Sequence, residues 1–165
     1  WSAGCSIGME PYTLAMVLTE FAKGNKGFAF SIRASDISTQ ALETALKGIY
    51  DEERVKPVPE HMKKAFLMRS KDKSKRLVRI VPEIRRTVQF FRLNFMESFS
   101  LDTLMDVVFC RNVIIYFDRP TQEVLFRKLC RQIVTGGHLF IGHSESLTGM
   151  ELPLKQVAPT VYQRM

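Results

Sequence analysis

The sequence predicts an α/β fold: a mostly parallel sheet with helices on both faces and a small inserted β lobe. Three observations carry this. Short apolar or alternating segments recur at 27–35, 88–94, 106–112 and 138–142. Segments with helical apolar spacing fall between them at 12–23, 38–47 and 118–135. Strands alternating with helices are the pattern of parallel βαβ units. The stretch from Ile49 to Pro82 breaks this rhythm. It holds Pro57, Pro59 and a concentration of positive charge. It reads as an insert between core elements, with a basic sub-lobe at 56–86.

The chain starts on what reads as the end of a first strand, followed by the turn "AGCSIGME". Tyr12 to Lys23 then reads as a helix. Pro11 fits its first turn and Lys23-Gly24 its end, and Leu14, Val17, Leu18, Phe21 and Ala22 recur at helical spacing. "GFAFSIRAS" alternates Phe28, Phe30 and Ile32 with smaller or polar residues and predicts a strand over 27–35 that ends at Asp36. Ser38 can cap a helix bearing Ala41, Leu42, Ala45 and Leu46, stopped at Lys47-Gly48. Within the insert, "EHMKKAFLM" predicts a helix and "RLVRIV" a strand. "VQFFRLN" and "DVVFCRN" predict two more strands. Asp118 with Pro120 opens a helix carrying Leu125, Phe126, Leu129, Cys130 and Ile133, and Gly136-Gly137 is expected to end it. "HLFIG" and "TVYQRM" read as the last two strands.

The 165 residues suit one domain, 1–165, large enough to bury a core. No apolar run approaches the roughly 20 residues of a membrane span, and no signal peptide is visible, so a cytoplasmic, non-inserted protein is expected. Cys5, Cys110 and Cys130 sit in apolar surroundings without C-x-x-C spacing, as structural thiols do, and the cysteines and histidines lack zinc-ligand spacing. Net charge is +7 and unevenly placed. From His61 to Arg92 there are eleven basic residues (Lys63, Lys64, Arg69, Lys71, Lys73, Lys75, Arg76, Arg79, Arg85, Arg86 and Arg92) against Asp72 and Glu83. That surface suits an acidic partner. It lacks interleaved stacking aromatics, which speaks against nucleic acid.

In parallel sheets, ligands bind at the carboxyl ends of the strands. The first turn, Asp36, Asn94 and "CRNVIIYF" all fall there. The first turn is neither G-x-G-x-x-G nor a P-loop. Glu10, at the mouth of the following helix, would repel a phosphate and suits a cationic or hydroxyl-bearing ligand. Gly4 and Gly8 would let backbone approach that ligand, or simply make a tight turn. Asp36 suits the two hydroxyls of a ribose, or caps the next helix. Arg111, Asn112 and Tyr116 directly follow the buried run "VVFC", so they face a cleft or pair internally.

"WSAGCSIGMEPYTLAM", "ASDIS", "GIY", "FLMR", "FCRNVIIYFD" and "GHSESL" together resemble the CheR-type chemotaxis receptor methyltransferases, in the right order along nearly the whole chain. The resemblance implies a Rossmann-like catalytic domain dependent on S-adenosylmethionine (SAM). It would methylate glutamate side chains on the acidic coiled-coil region of a methyl-accepting chemotaxis receptor, leaving S-adenosylhomocysteine (SAH). The alternative is a SAM-binding regulatory or scaffold module without turnover. Ala3, Glu10, Asp36, Asn94, Phe95, Arg111 and Asn112 then match cofactor-binding positions. Tyr116 would lie near the reactive methyl, and Arg69 would face the substrate glutamate. No metal is implied, and a monomer is expected. Met9 stands where the family usually has an acid, and Ile7 where it has Thr. The tip "SKDKSKR" lacks the glycine of members that dock a receptor peptide on the inserted lobe. The resemblance also implies that a helical N-terminal domain and the start of the first strand precede Trp1.

Overall fold

The structure is a computed structural model that describes Trp1–Met165. The side chain of Lys73, one of the eleven basic residues, lies outside the described residues. In chain order the elements are β1 (Ser2–Ala3), α1 (Met9–Gly24), β2 (Ile32–Asp36), α2 (Thr39–Lys47), β3 (Ile49–Asp51), α3 (Glu60–Phe66), β4 (Leu67–Arg69), β5 (Leu77–Ile80), α4 (Pro82–Arg85), β6 (Val88–Arg92), β7 (Met105–Cys110), α5 (Arg119–Cys130), β8 (Ile133–Ile141), β9 (Leu154–Ala158) and β10 (Val161–Arg164). The chain divides into two compact units, Cys5–Arg92 and Trp1–Gly4 with Leu93–Met165. The mostly parallel α/β part has seven strands, two in the first of these units and five in the second.

In the unit Cys5–Arg92, β2 and β6 pair in parallel from Ile32 opposite Val88 to Asp36 opposite Arg92. Helix α1 turns Tyr12, Ala15 and Met16 inward, and α2 turns Leu42 and Ala45 inward. Ser38 caps α2 as expected: its hydroxyl accepts the Ala41 N–H at 3.2 Å, and Gly48 closes the helix with a left-handed φ of 60°. A separate antiparallel sheet has the order β3-β5-β4, with Tyr50 opposite Val78 and Met68 opposite Arg79. Tyr50, Val55, Phe66, Val78, Ile80 and Ile84 join the core built by α1, α2 and β2.

The strand expected over 27–35 begins only at Ile32. Phe28 packs edge-on against Phe21 of α1, ring centroids 4.9 Å apart, and lies 6.2 Å from Phe30. The alternation of Phe28 and Phe30 thus reflects aromatic contacts at the end of α1, and 28–31 has no ladder partner.

In the other unit the strand order is β1-β7-β8-β10-β9. β1, β7 and β8 are parallel, and β10 runs antiparallel to both its neighbours. Helix α5 is capped by Asp118, whose Oδ1 accepts the Thr121 N–H at 3.0 Å. It buries Leu125, Phe126, Leu129 and Cys130. It ends at Cys130 rather than at Gly136-Gly137, and Ile133 is the first residue of β8. The two glycines lie inside that strand, where the register jumps: Met105 faces Ile133, but Val107 faces His138. Gly136 takes a left-handed φ of 83°. A Cβ on Gly137 would stand 2.8 Å from the Asp106 carbonyl and 2.7 Å from Ile133 Cγ2. The glycine pair permits an irregular strand; it does not stop a helix. Strand β9, largely exposed and at the edge, has no clear apolar alternation and escapes sequence reading.

Gly137→Ala should therefore destabilise the protein by about 1–3 kcal/mol, since the added methyl meets backbone that cannot swing away. Urea unfolding checks this. A cost near zero would remove the close approach of β7 as the reason for glycine at 137.

Candidate cofactor and active site

In the unit Cys5–Arg92, the first turn is built around Gly8, which precedes α1 with φ 87°. A Cβ there would lie 2.8 Å from Ala45 Cβ of α2. Packing on α2 and the left-handed backbone account for this glycine without a ligand. Cys5 N–H donates to the Ser35 carbonyl (2.9 Å), and Gly8 N–H donates to the Cys5 carbonyl (2.9 Å). The hydroxyls of Tyr50 and Tyr12 donate to the carbonyls of Ile7 (2.7 Å) and Ala45 (2.8 Å).

Asp36 ends β2 and does more than cap a helix. Its Oδ2 accepts the Ser6 N–H of the first turn at 2.7 Å, and its Oδ1 accepts the Ser38 N–H at 2.9 Å. Two backbone donors thus fix the carboxylate plane, and each oxygen retains capacity to accept a ligand hydroxyl. Glu10 stands in the first turn of α1, beside the exposed Met9. Arg69, in β4 of the same unit, is exposed and lies 3.8 Å from the Glu52 carboxylate.

In the other unit, Ala3 is buried in β1. A Cβ on Gly4 would collide with the Val113 side chain and come 3.9 Å from Phe95, so the end of β1, Phe95 and the loop after β7 converge. Asn94 folds its loop into a turn. Its Oδ1 accepts the Met96 N–H (3.0 Å), and its amide donates to Glu97 Oε1 (2.9 Å). Lys128 of α5 donates to the carbonyls of Phe95, Met96 and Glu97. The Phe95 ring lies among Trp1 and Phe99, at 6.3 and 6.0 Å.

After β7, Asn112 adopts a left-handed φ of 58°. Ile114–Tyr116 form a single 3-10 turn that leaves Tyr116 80% exposed. That exposure sets aside ordinary packing as the role of Tyr116. Glu145, in "GHSESL", has a role in this loop that residue pattern alone does not reveal. It is buried, and its carboxylate accepts the N–H groups of Val113, Ile114 and Gly142. A lone acid next to Ser and near His carries no local signal of such a role; apart from Gly142, three residues back, its partners lie about thirty residues away.

The profile of the family described as "CheR methyltransferase, SAM binding domain" matches residues 1–163. The chain belongs to that family. As a CheR SAM-binding domain, it is 39% identical over 163 residues to chemotaxis protein methyltransferase 2 of Pseudomonas aeruginosa, covering 98% of this chain and 58% of the relative. It is 39% identical over 166 residues to the chemotaxis protein methyltransferase of Borreliella burgdorferi (99% and 57%) and 36% identical over 163 residues to that of Escherichia coli (98% and 57%). The chain therefore spans little more than half the length of these relatives. The glycopeptide N-methyltransferase MtfA shares the fold, with a TM-score of 0.53 at 13% identity over 99% of this chain and 52% of that one. Among the described residues, no helix is long and apolar enough to cross a membrane.

Burial pushes the Cys5 thiol up to about 12, with the negative charges of Asp36 and Glu10 adding to it. Burial likewise raises the Tyr12 hydroxyl to about 12 and raises that of Tyr50 further. Each group is held neutral in the folded chain, while the unfolded chain ionises at about 8.5 for Cys and about 10 for Tyr. Their contribution to stability is full below about pH 8.5 and is lost as pH rises from there through about 12. Urea midpoints measured between pH 8 and pH 11 should fall steadily. A flat profile would contradict the burial of these three groups.

Proposed function

We propose that the protein transfers the methyl group of SAM to glutamate side chains of methyl-accepting chemotaxis receptors, forming glutamyl methyl esters and SAH. The observation that carries the reading is Asp36: a carboxylate at the end of a parallel strand in a CheR SAM-binding domain, set in place by the N–H groups of Ser6 and Ser38. The relatives' names, chemotaxis protein methyltransferases, supply the target class.

In the unit Cys5–Arg92, Asp36 accepts the ribose hydroxyls, and Glu10 offers its charge to the cationic part of the cofactor. In the other unit, Asn94 and Phe95 flank the adenine, Ala3 lines the site with backbone, and Arg111 and Asn112 contact the cofactor. When bound, SAM supplies a methyl already activated by the sulfonium. A glutamate carboxylate is already nucleophilic at neutral pH, so the chain needs no strong base. Tyr116 stands at the methyl and Arg69 steers the acceptor carboxylate, in a reaction governed by in-line positioning and exclusion of water. One C–O bond forms as the methyl C–S bond breaks, and the electron pair stays on sulfur. Glu10 alone serves where relatives carry two acids, since Met9 brings none. The basic sub-lobe at 56–86 faces the acidic receptor helix. The protein works as a cytoplasmic monomer.

Two experiments test this. The intact protein, given its receptor and SAM labelled in the methyl group, should place base-labile label on the receptor; absence of incorporation overturns the proposal. Asp36→Ala should weaken SAM binding by about 1–3 kcal/mol, the cost of removing a charged hydrogen-bond partner. Unchanged affinity in titration calorimetry refutes the ribose assignment.

A further inference from the structure

Glu145 is 8% exposed and carries a carboxylate whose charge is met by backbone. Oε1 accepts the N–H groups of Val113 at 3.0 Å and Ile114 at 3.2 Å, and Oε2 accepts the Gly142 N–H at 2.5 Å. One side chain thereby joins the loop after β7 to the loop after β8. Hydrogen bonds to an ionised acceptor are about twice as strong as neutral ones. The loop held in this way bears Arg111, Asn112 and Tyr116.

The surroundings reinforce the clamp. Gln122 of α5 donates to the carbonyls of Ile114 (3.0 Å) and Phe117 (2.9 Å). Arg119 donates to the carbonyls of Ser146 and Thr148, on the segment that carries Glu145. Asn112 takes the left-handed backbone that asparagine tolerates better than other non-glycine residues, which turns the chain sharply after β7. Backbone is tied down on both sides of Tyr116, while the ring itself is 80% exposed. Gly142 leaves no room for slack: a Cβ there would lie 2.8 Å from Glu145 Oε2 and 3.1 Å from the Asn112 nitrogen.

We propose that Glu145 is a positioning residue of the methyl-transfer site. It acts through backbone, by holding Arg111, Asn112 and Tyr116 in the conformation that engages the cofactor; this rests on the methyltransferase reading above. The carboxylate is required, and an amide does not replace it. Glutamine has one acceptor oxygen, so its NH2 group would face either the Gly142 N–H or those of Val113 and Ile114, donor against donor.

The test is calorimetric titration of the intact protein with SAH, comparing wild type, Glu145→Gln and Gly142→Ala. Glu145→Gln should raise the Kd for SAH about tenfold with stoichiometry unchanged. A merely structural role lowers the folded fraction: irreversibly unfolded protein lowers the stoichiometry at an unaltered Kd, and reversible unfolding raises the Kd only by the loss of folded fraction seen in circular dichroism; either result overturns the proposal. Gly142→Ala keeps the acid but crowds Oε2, and its Kd should rise in the same direction. It decides the matter if Glu145→Gln does not fold, and an unchanged Kd there overturns the proposal. Wild type that binds SAH, with variants that bind equally well, sinks this inference alone. Wild type that does not bind SAH sinks the methyltransferase reading and this inference with it.

Discussion

A buried carboxylate surrounded by backbone N–H groups is the constraint on which the loop after β7 depends. Glu145 accepts three such bonds, two from the loop after β7 and one from the end of β8. A parallel strand that ends in a sharp turn leaves amides with no ladder partner, and a buried unpaired amide costs on the order of 1–3 kcal/mol. One acid satisfies three of them at once. The desolvation of its charge is offset because the donors are fixed and need no reorganisation. With the backbone anchored, Asn112 keeps its left-handed conformation and Tyr116 stands out from the surface without being supported by its own packing.

Asp36 applies the same device in the unit Cys5–Arg92. Asp36 ends a parallel strand, and it too directs its oxygens at backbone N–H groups, of Ser6 in the first turn and Ser38 before α2. The two acids differ in exposure. Glu145 is buried and saturated by donors, which suits a fastener. Asp36 is half-buried and keeps acceptor capacity, which suits a residue that both shapes its turn and receives a ligand. The distinction depends on what each carboxylate has left over once the backbone is satisfied.

The same contrast explains what the sequence could show. Features set by neighbours in the chain were readable: the Ser38 and Asp118 caps, the Gly48 stop, the apolar strand β7, though only Val108 and Cys110 of it are fully buried, and Asp36 at its strand end. Features set across the fold were not. Gly136-Gly137 looks like a helix stop because glycine favours one, yet here it serves a register jump against Asp106 and Val107. Phe28 and Phe30 alternate like a strand, yet they pack on each other and on Phe21. The first-turn glycine at 8 looks like room for a ligand, yet Ala45 already occupies the space a side chain would need. Glu145 is the clearest case, because its partners at 113 and 114 are brought to it only by folding.

Charge counted along the chain is likewise altered by folding. The segment from His61 to Arg92 carries eleven basic residues against two acids, but its surface is not that positive. Glu52 lies 3.8 Å from Arg69 and 3.9 Å from Arg76, Glu53 pairs with Arg76 at 2.8 Å, and Glu60 pairs with Lys63 at 2.8 Å. All three acids precede the basic segment in sequence and meet it through β3, β5 and the start of α3. Such exposed pairs are weak, so they exchange readily for a partner that presents several carboxylates together. The hydrogen bonds and nearby cations of Glu53 and Glu60 hold their carboxyls below the usual range, so these acids stay ionised at any pH at which an acidic partner is charged. Attraction of this surface to any acidic partner would therefore be graded by competition with the protein's own acids. Its salt sensitivity arises from both sets of pairs, since added ions screen the internal and the external contacts alike.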